Sequence, residues 1–325
     1  MYTKNKNNKG VILISVLLIV LVLSAIAISI GSNFLLAFKR SIYQDFETNS
    51  LELFKSIESI SIKKVEEKNR FGTQVLSKSD PLFSDVFYYE LPNGKLSSQI
   101  TDASNCININ SVVLLSNNNY TQNPKGIASL KKLLLHKEFD ERNIDALIDQ
   151  MIDWIDTDNQ PRAEGLEDYF YTGPLHSPKQ YTSKRLFYDL SELMNLPAFR
   201  YFNLKQLNNH LCAIPISGNS RVNINLLTSE DSDLLSALLP NSSIEDANLI
   251  ISNTPQEGFV DMSQLIREFP SIDFKNSNAT IFFTSNLFSI KSEIISEEMK
   301  MSSNSFLYLE NNKRGYIISR TYNGL

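Results

Sequence analysis

The chain has 325 residues, with 36 acidic against 31 basic side chains and a formal net charge of −5 at pH 7. This acidic balance argues against nucleic acid as a partner and is compatible with binding Ca²⁺, whose ligands are oxygens. The length leaves room for a hydrophobic core and for two soluble units.

The first predicted element is a membrane helix. No charged residue lies between Val11 and Ile30, and about 20 apolar residues suffice to cross a hydrocarbon core about 30 Å thick. Three lysines precede this stretch and favour a cytoplasmic leader. A secretory signal would place its cleavage site after a shorter apolar core, whereas here the best cleavage position lies before it, at Gly10.

The same helix is predicted to continue beyond the membrane. Apolar residues recur at roughly helical spacing over residues 35–60, and neither Gly nor Pro occurs between residues 32 and 70. We predict one long helix over residues 11 to about 64, apolar in its first half and amphipathic in its second. An ordinary single-pass anchor with a juxtamembrane stalk is the alternative.

Strand-rich segments flank a long helical middle. Predicted strands at 85–91 and 95–101 are joined by a hairpin at Pro92-Asn93-Gly94-Lys95, because Asn-Gly accepts the positive φ of such turns. Further strands are predicted at 280–283, 288–295, 305–310 and 315–321, with the last hairpin at Asn311-Asn312. The clearest helices of the middle section, about 106–275, are 127–136, 141–155, 190–194, 229–238 and 244–251.

This segregation of helices and strands predicts the α+β class, with a long N-terminal helix on a small antiparallel sheet and a helical domain inserted between its strands. The insert carries a faint internal echo. The segments I-N-I-N at 107–110 and V-N-I-N at 222–225 each precede a helical stretch. Two unrelated short strands are the alternative interpretation of this weak match.

The segment 153–171, DWIDTDNQPRAEGLEDYFY, is the most informative soluble stretch. Residues 140–168 hold ten acidic side chains and two basic ones, a density that repels itself unless it is solvated or bridged by a cation. Counted from the first loop aspartate, the positions that ligate calcium in an EF-hand hold Asp156, Asp158, Gln160, Arg162, Glu164 and Glu167. Pro161 stands where the EF-hand turn needs Gly, so this is a carboxylate-rich loop that wraps Ca²⁺ in another way or, alternatively, a solvated acidic loop.

No catalytic constellation stands out. The histidines at 136, 176 and 210 lie in different segments, without a metal-ligand spacing or a G-x-S-x-G nucleophile nearby. Walker A and G-x-G-x-x-G motifs are missing from the sequence. The segment 222–266 resembles a helix-hairpin-helix, but its turn has no glycine and the segment has no Lys or Arg, so phosphate binding is not expected. We predict a protein that is not an enzyme, with Trp154 in its core.

The two cysteines, Cys106 and Cys212, are too far apart in sequence for a local metal or redox motif. If the bulk of the chain is periplasmic, they can form one disulfide. Two buried thiols are the equally open alternative.

The leader and first helix resemble those of type IV prepilins, whose leaders the prepilin peptidase cuts after glycine. The resemblance implies cleavage between Gly10 and Val11. Pilins and most pseudopilins carry Glu at the fifth mature position, where it neutralises the N-terminal amine of a neighbouring subunit, and here that position is Ser15. A subunit without this Glu fits the first, tip-located place in a fibre.

The runs D-W-I-D-T-D-N-Q-P-R and G-L-E-D-Y-F-Y resemble the signature of general secretion pathway protein K, the large minor pseudopilin of type II secretion. The resemblance spans the whole chain and implies a type IV pilin-like fold with a large helical insert. It also implies Ca²⁺ in that insert. The implied ligands are Asp156, Asp158, Glu167 and Asp168, with Asp153 and Gln160 as further candidates.

The implied function is that of a minor pseudopilin at the tip of the pseudopilus, which initiates assembly with I- and J-type minor pseudopilins and supports secretion. Its expected location is the bacterial inner membrane, which it crosses once, with the bulk of the chain in the periplasm. Prepilin peptidase, the secretin and cargo are further expected partners.

The expected units are the leader (1–10), membrane helix (11–31), amphipathic helix and first strands (32–105), insert (106–275) and C-terminal strands (276–325). A membrane-anchored periplasmic Ca²⁺-dependent binding protein or enzyme without a pilus role is the alternative.

Overall fold

A computed structural model describes residues 9–69, 75–207, 209–296, 299–310 and 314–324. The helices of this described chain are α1 (Lys9–Asn69), α2 (Pro81–Ser84), α3 (Pro124–His136), α4 (Glu141–Ile155), α5 (Asp168–Tyr171), α6 (Leu204–Leu207), α7 (Ser232–Leu238), α8 (Ile244–Ser252) and α9 (Met262–Glu268). The strands are β1 (Val86–Leu91), β2 (Gly94–Asp102), β3 (Ile107–Asn108), β4 (Val113–Ser116), β5 (Asn119–Gln122), β6 (Leu211–Cys212), β7 (Arg221–Asn223), β8 (Thr280–Phe282), β9 (Leu287–Ser296), β10 (Met299–Glu310) and β11 (Arg314–Gly324). Short 3-10 helices add Ile109–Val112, Leu190–Asn195, Pro197–Tyr201, Ile224–Leu226 and Ser229–Asp231.

The long helix α1 has 61 residues and is therefore about 90 Å long. An apolar window in it has a mean hydropathy of 3.1, and no part of that window is buried, so α1 is long and apolar enough to cross a membrane. In its second half Phe54, Ile57 and Val65 are buried on the face turned to the sheet. The predicted single helix is confirmed and extends slightly further at both ends.

Five strands form an antiparallel sheet in the order β1-β2-β9-β10-β11, and α1 packs across β9, β10 and β11. Leu96, Ile290 and Leu307 point from the sheet into the core beneath α1. The place of the predicted first hairpin is confirmed, because Leu91 pairs with Gly94 across its turn. The reason given for it is wrong, since the turn residues are Pro92 and Asn93, and neither Asn93 nor Gly94 has a positive φ. The predicted turn at Asn311-Asn312 lies outside the described residues.

An ion pair between the buried Glu58 and the exposed Arg320 fastens α1 to the last strand. Arg320 on β11 donates two parallel hydrogen bonds to the carboxylate of Glu58, from Nε at 2.9 Å to Oε1 and from Nη2 at 2.8 Å to Oε2. Ser305 on β10 donates a further hydrogen bond to Glu58 Oε1 at 2.6 Å. The pair is bidentate, which is the strongest geometry for an arginine and a carboxylate. It also fixes the orientation of α1 on the sheet, which apolar contacts alone do not.

The chain leaves the sheet after β2 and returns to it at β9, and the residues between form the helical insert. The segment 280–283 was expected in the C-terminal part of the main sheet. It does form a strand, β8, but β8 pairs in parallel with β7 inside the insert. The correction moves the start of the C-terminal strands from residue 276 to Leu287. A parallel pairing joins distant segments, so a single run of residues does not reveal it.

The insert contains two halves built on one pattern, which we define as residues 107–216 and 221–283. In the first half, Asn110 donates from Nδ2 to the Phe187 carbonyl and accepts from the Phe187 N–H, both at 2.8 Å. In the second, Asn225 makes the same two bonds with Phe259, at 3.0 and 2.7 Å. In each half, the strand just before the asparagine pairs in parallel with a later strand. These pairs are β3 with β6 and β7 with β8. We call each paired Asn–Phe arrangement a bracket.

A disulfide closes the first half at its base. Cys106 and Cys212 are bonded, with their Cα atoms 5.8 Å apart, next to the paired strands β3 and β6. This geometry decides between the two alternatives that the sequence left open. The bond ties the entrance of the insert to the end of its first half, across a sequence separation of 106 residues.

Candidate metal centre

Helix α4 brings the first acidic residues of the site to its C-terminal end. Its bounds match the prediction because its apolar face has a strong helical period and its N-terminus is capped. Asp140 accepts that capping hydrogen bond from the Asn143 N–H at 3.2 Å. Asp156 directly follows the last turn and donates its N–H to the Ile152 carbonyl at 2.9 Å. Formation of α4 therefore fixes the position of Asp156.

Three carboxylates converge beyond the end of α4. One oxygen atom from each of Asp156, Asp158 and Glu167 lies within 4.8 Å of the other two. Asp156 and Glu167 are buried, and Asp158 is exposed on the solvent side. Calcium binds oxygen ligands at about 2.3–2.6 Å, so ligands on opposite sides of one ion are about 5 Å apart. The spacing of these oxygens fits a single calcium ion.

Several oxygen atoms of the buried carboxylates lack a hydrogen-bond partner in the described part of the chain. Both Glu167 oxygens, Asp156 Oδ1 and Asp153 Oδ1 are buried and have no hydrogen-bond partner among the residues that the structure describes. A buried, unpaired carboxylate is costly, because nothing replaces the water that it has lost. This donor set, made only of oxygens and acidic, is the set that a hard cation such as Ca²⁺ prefers.

The same burial changes the acidity of these groups. Burial raises the pKa of Asp156 to about 7, and the nearby charges of Asp158 and Asp153 add to the shift. Burial likewise raises the pKa of Glu167 to about 7, with Asp156 and Asp153 adding to it. For Asp153, burial raises the pKa to about 6, against the lowering effect of the Arg162 backbone N–H and guanidinium. Without a cation the cluster therefore holds protons near neutral pH.

Asp153 binds the backbone of the acidic loop. Its Oδ2 accepts a hydrogen bond from the Arg162 N–H at 3.1 Å, and its Oδ1 lies 3.7 Å from Arg162 Nε. A Cβ atom at Gly165 would collide with Asp153 Oδ2, so this close approach requires glycine. Gln160, a further candidate ligand, is exposed and donates its backbone N–H to Asp158 Oδ1 at 2.8 Å.

Asp168, the fourth expected ligand, does not join the cluster. Its Oδ1 accepts hydrogen bonds from the Thr182 N–H at 2.8 Å and from Thr182 Oγ1 at 2.7 Å. Its Oδ2 lies 3.6 Å from the Lys184 ammonium. Both oxygens of Asp168 thus have partners outside the cluster. The sequence places it next to Glu167, but its partners come from a later segment that local spacing does not reveal.

An aromatic wall backs the cluster. Trp154 is confirmed as a core residue, and the ring of Tyr171 lies against it at 5.3 Å between centroids. Burial raises the pKa of Tyr171 above its ordinary value, and the charges of Asp153 and Glu167 raise it further. Sequence reasoning missed Tyr171, although the aromatic run directly after Asp168 is a signal that the chain turns back into the core there.

The remaining predicted site residues lie elsewhere. Gly10, Val11 and Ser15 are part of α1, near its N-terminal end and in the other unit of the molecule. Cys106 and Cys212 are in the disulfide at the base of the insert. The structure thus brings together the metal-site candidates from 153 to 167 and keeps the processing and assembly positions apart from them.

Comparison with known protein families gives one matching family model. Residues 105–216 match the model described as type II secretion system protein K, first part. A protein of Escherichia coli (strain K12), provisionally named type II secretion system protein K, is 23% identical to this chain. The match covers 97% of this chain and 98% of the relative. Type II secretion system protein K of Pectobacterium carotovorum is 26% identical over 73% of this chain and 72% of its own.

A solved structure has the same fold. A chain of the GspK-GspI-GspJ complex from the type 2 secretion system of enterotoxigenic Escherichia coli superposes with a TM-score of 0.72 at 20% sequence identity. The match covers 87% of this chain and 99% of the other. The expected pilin-like α+β fold, a long helix on an antiparallel sheet with a helical insert, is thereby confirmed.

Proposed function

We propose that this chain, which belongs to the type II secretion system protein K family, is the tip subunit that initiates growth of the pseudopilus. The observation that carries the proposal is the architecture of α1. One helix is apolar and exposed in its first half, then amphipathic and packed on the sheet in its second. Such a helix can lie in a membrane and later pack laterally against sister helices.

The proposed partners are I- and J-type minor pseudopilins. This is supported by the solved neighbour, in which GspK is in complex with GspI and GspJ. Apolar side chains remain exposed on α1 as far as Phe34, Phe38 and Tyr43, beyond the length that a bilayer needs. That stretch offers apolar surface to neighbouring helices, and Ser15 lies in the same helix at the position where most pilins carry Glu.

The insert would cap the fibre and contact cargo or the secretin. Asp156, Asp158 and Glu167 would hold Ca²⁺, with Asp153 beneath them. Bound Ca²⁺ supplies positive charge that cancels the repulsion among these carboxylates. The chain contributes the buried position of Glu167, the fixed start of the loop at Asp156 and the backbone turn held by Asp153. The role we propose is structural and involves no catalysis.

Leader processing tests the proposal in the bacterial inner membrane. We expect the protein recovered from cells with the complete secretion system to begin at Val11, with a methylated N-terminal amine and its bulk in the periplasm. Gly10→Val should retain the leader and block secretion. Gly31→Val is the matched control for processing, since it puts the same side chain elsewhere in α1, away from the cleavage position, and its leader should be removed. Mass spectrometry of the N-terminus gives the readout.

Two outcomes would contradict the proposal. Normal secretion by Gly10→Val would exclude a role that depends on processing. A mature protein that still begins at Met1 would make the helix a plain anchor, and a calcium-dependent binding protein or enzyme without a pilus role would then be the better interpretation.

A further inference from the structure

The segment that follows α5, residues 172–184, returns to the acidic loop and places Lys184 beside it. Gln180 donates its N–H to the Tyr171 carbonyl at 3.2 Å, and Thr182 is bound by Asp168 as described above. Ser183 donates its hydroxyl to the Trp154 carbonyl at 3.0 Å. The returning chain therefore lies beside the C-terminal end of α4, where the acidic loop begins.

Lys184 contacts three segments that surround the candidate centre. Its N–H donates to the Trp154 carbonyl at the end of α4, at 3.0 Å. Its ammonium donates to Asn159 Oδ1 in the acidic loop at 2.7 Å and lies 3.6 Å from Asp168 Oδ2 on α5. The backbone and the half-buried side chain of this one residue thus connect the end of α4, the acidic loop and the start of α5.

The backbone of Lys184 is unusual. Its φ is +48°, in the left-handed region that residues with a side chain rarely adopt. Such a conformation persists where surrounding contacts determine it, and it points to a function for the position. Here the N–H binds the C-terminal end of α4 while the ammonium binds the acidic loop.

The ammonium of Lys184 lies beside residues that adjoin two of the three clustered carboxylates. It donates to Asn159, which directly follows Asp158 in the loop, and it lies 3.6 Å from Oδ2 of Asp168, which directly follows Glu167. The carboxylates that would hold Ca²⁺ are therefore already partly balanced by this ammonium, and a bound cation would be repelled by it.

We propose that Lys184 is an internal counter-cation of the acidic loop. Its charge stabilises the loop when no metal is bound, and the same charge lowers the affinity of the loop for calcium. This inference rests on the proposed calcium site. Lys184 is a positioning residue, since its ammonium binds Asn159 and Asp168 and leaves the three clustered carboxylates free for the ion.

Charge-specific variants of the full-length chain in detergent micelles test this. Lys184→Met removes the charge and keeps the aliphatic stem, Lys184→Arg keeps the charge, and Lys179→Met removes an exposed lysine from the same segment. Titration calorimetry with CaCl₂ and thermal melting in chelator are the readouts. We expect Lys184→Met to bind calcium about three- to tenfold more tightly and to melt at a lower temperature in chelator. The other two variants should match the wild type.

The outcomes separate the two claims. If the wild type binds calcium but Lys184→Met binds it equally or more weakly, Lys184 is a structural strut and the counter-cation proposal is wrong. If the wild type does not bind calcium, the metal site fails. The loop-stabilising part is then judged alone, and it fails too if Lys184→Met and Lys179→Met melt at the same temperature in chelator.

Discussion

The two halves of the insert share a bracket but differ in what it encloses. Asn110 and Asn225 each exchange two hydrogen bonds with one phenylalanine, Phe187 and Phe259. Helical hairpins, α3–α4 and α7–α8, follow the two asparagines. The first bracket spans 77 residues and the second only 34. The extra length of the first half includes the acidic loop, so the loop is an addition to a framework that the second half builds without it.

The energetics of framework and loop are opposite. In the brackets every buried amide has a partner, and a satisfied buried network stabilises one conformation. In the loop, Asp156 and Glu167 are buried with oxygens that lack partners among the described residues. The framework should therefore be stable by itself, whereas the loop depends on a cation. Each of the following predictions tests that difference.

Loss of either bracket should have the largest effect. Asn110→Ala and Asn225→Ala each leave the N–H and carbonyl of a buried phenylalanine unpaired, so each should lower the free energy of unfolding by about 2–4 kcal/mol. Asn195→Ala, at an exposed asparagine, is the control. Calorimetric melting of the full-length chain in calcium measures the effect. A large loss at one bracket and none at the other would show that the two halves are not equivalent.

Loss of the carboxylate cluster should affect the first half alone. In the wild type, adding calcium at 100 times its dissociation constant should stabilise the chain by about 2.7 kcal/mol over chelator. Asp156→Ala with Asp158→Ala should melt earlier in calcium and lose all response to chelator. Glu245→Gln with Glu257→Gln removes two exposed charges from the second half and should keep the full response. A wild-type chain insensitive to chelator would refute the site.

The pH dependence of the metal-free chain has a defined sign. Asp153, Asp156 and Glu167 have pKa values raised to about 6, 7 and 7 by burial, whereas in the unfolded chain they titrate near pH 4. Between about pH 4 and pH 7 the folded, metal-free chain therefore binds more protons than the unfolded chain. Its stability should fall as the pH rises through that window.

Melting in chelator at pH 5 and pH 8 measures this slope. We expect the cluster to lower the melting temperature at pH 8 relative to pH 5. The difference between the wild type and Asp156→Ala with Asp158→Ala isolates the contribution of the cluster from that of other acids. A steeper rise of stability with pH in the wild type than in the variant would reverse the sign and contradict the assignment.

Local patterns in the sequence predicted local features well. The bounds of α4 were predicted correctly, and so was the place of the first hairpin, although its turn does not use the positive φ expected of Asn-Gly. The spacing of the loop predicted that Asp156, Asp158 and Glu167 lie close together, and one oxygen of each does lie near the other two. Features that depend on distant partners were missed: the pairing of β8 with β7, the binding of Asp168 by Thr182, and the position of Lys184. The sequence also left the state of the two cysteines open, because only folding brings residues 106 positions apart into contact.

The points at which the insert joins the sheet have a consequence for how this protein could arise. Asp102 at the end of β2 pairs with Phe288 near the start of β9, so the chain departs from the sheet and rejoins it at one point. Topologically, residues 103–286 are the loop of a β-hairpin. Closing a hairpin around a long loop costs little more entropy than closing it around a shorter one. A whole domain can thus be gained, lost or exchanged here in a single genetic step, with the register of every strand unchanged.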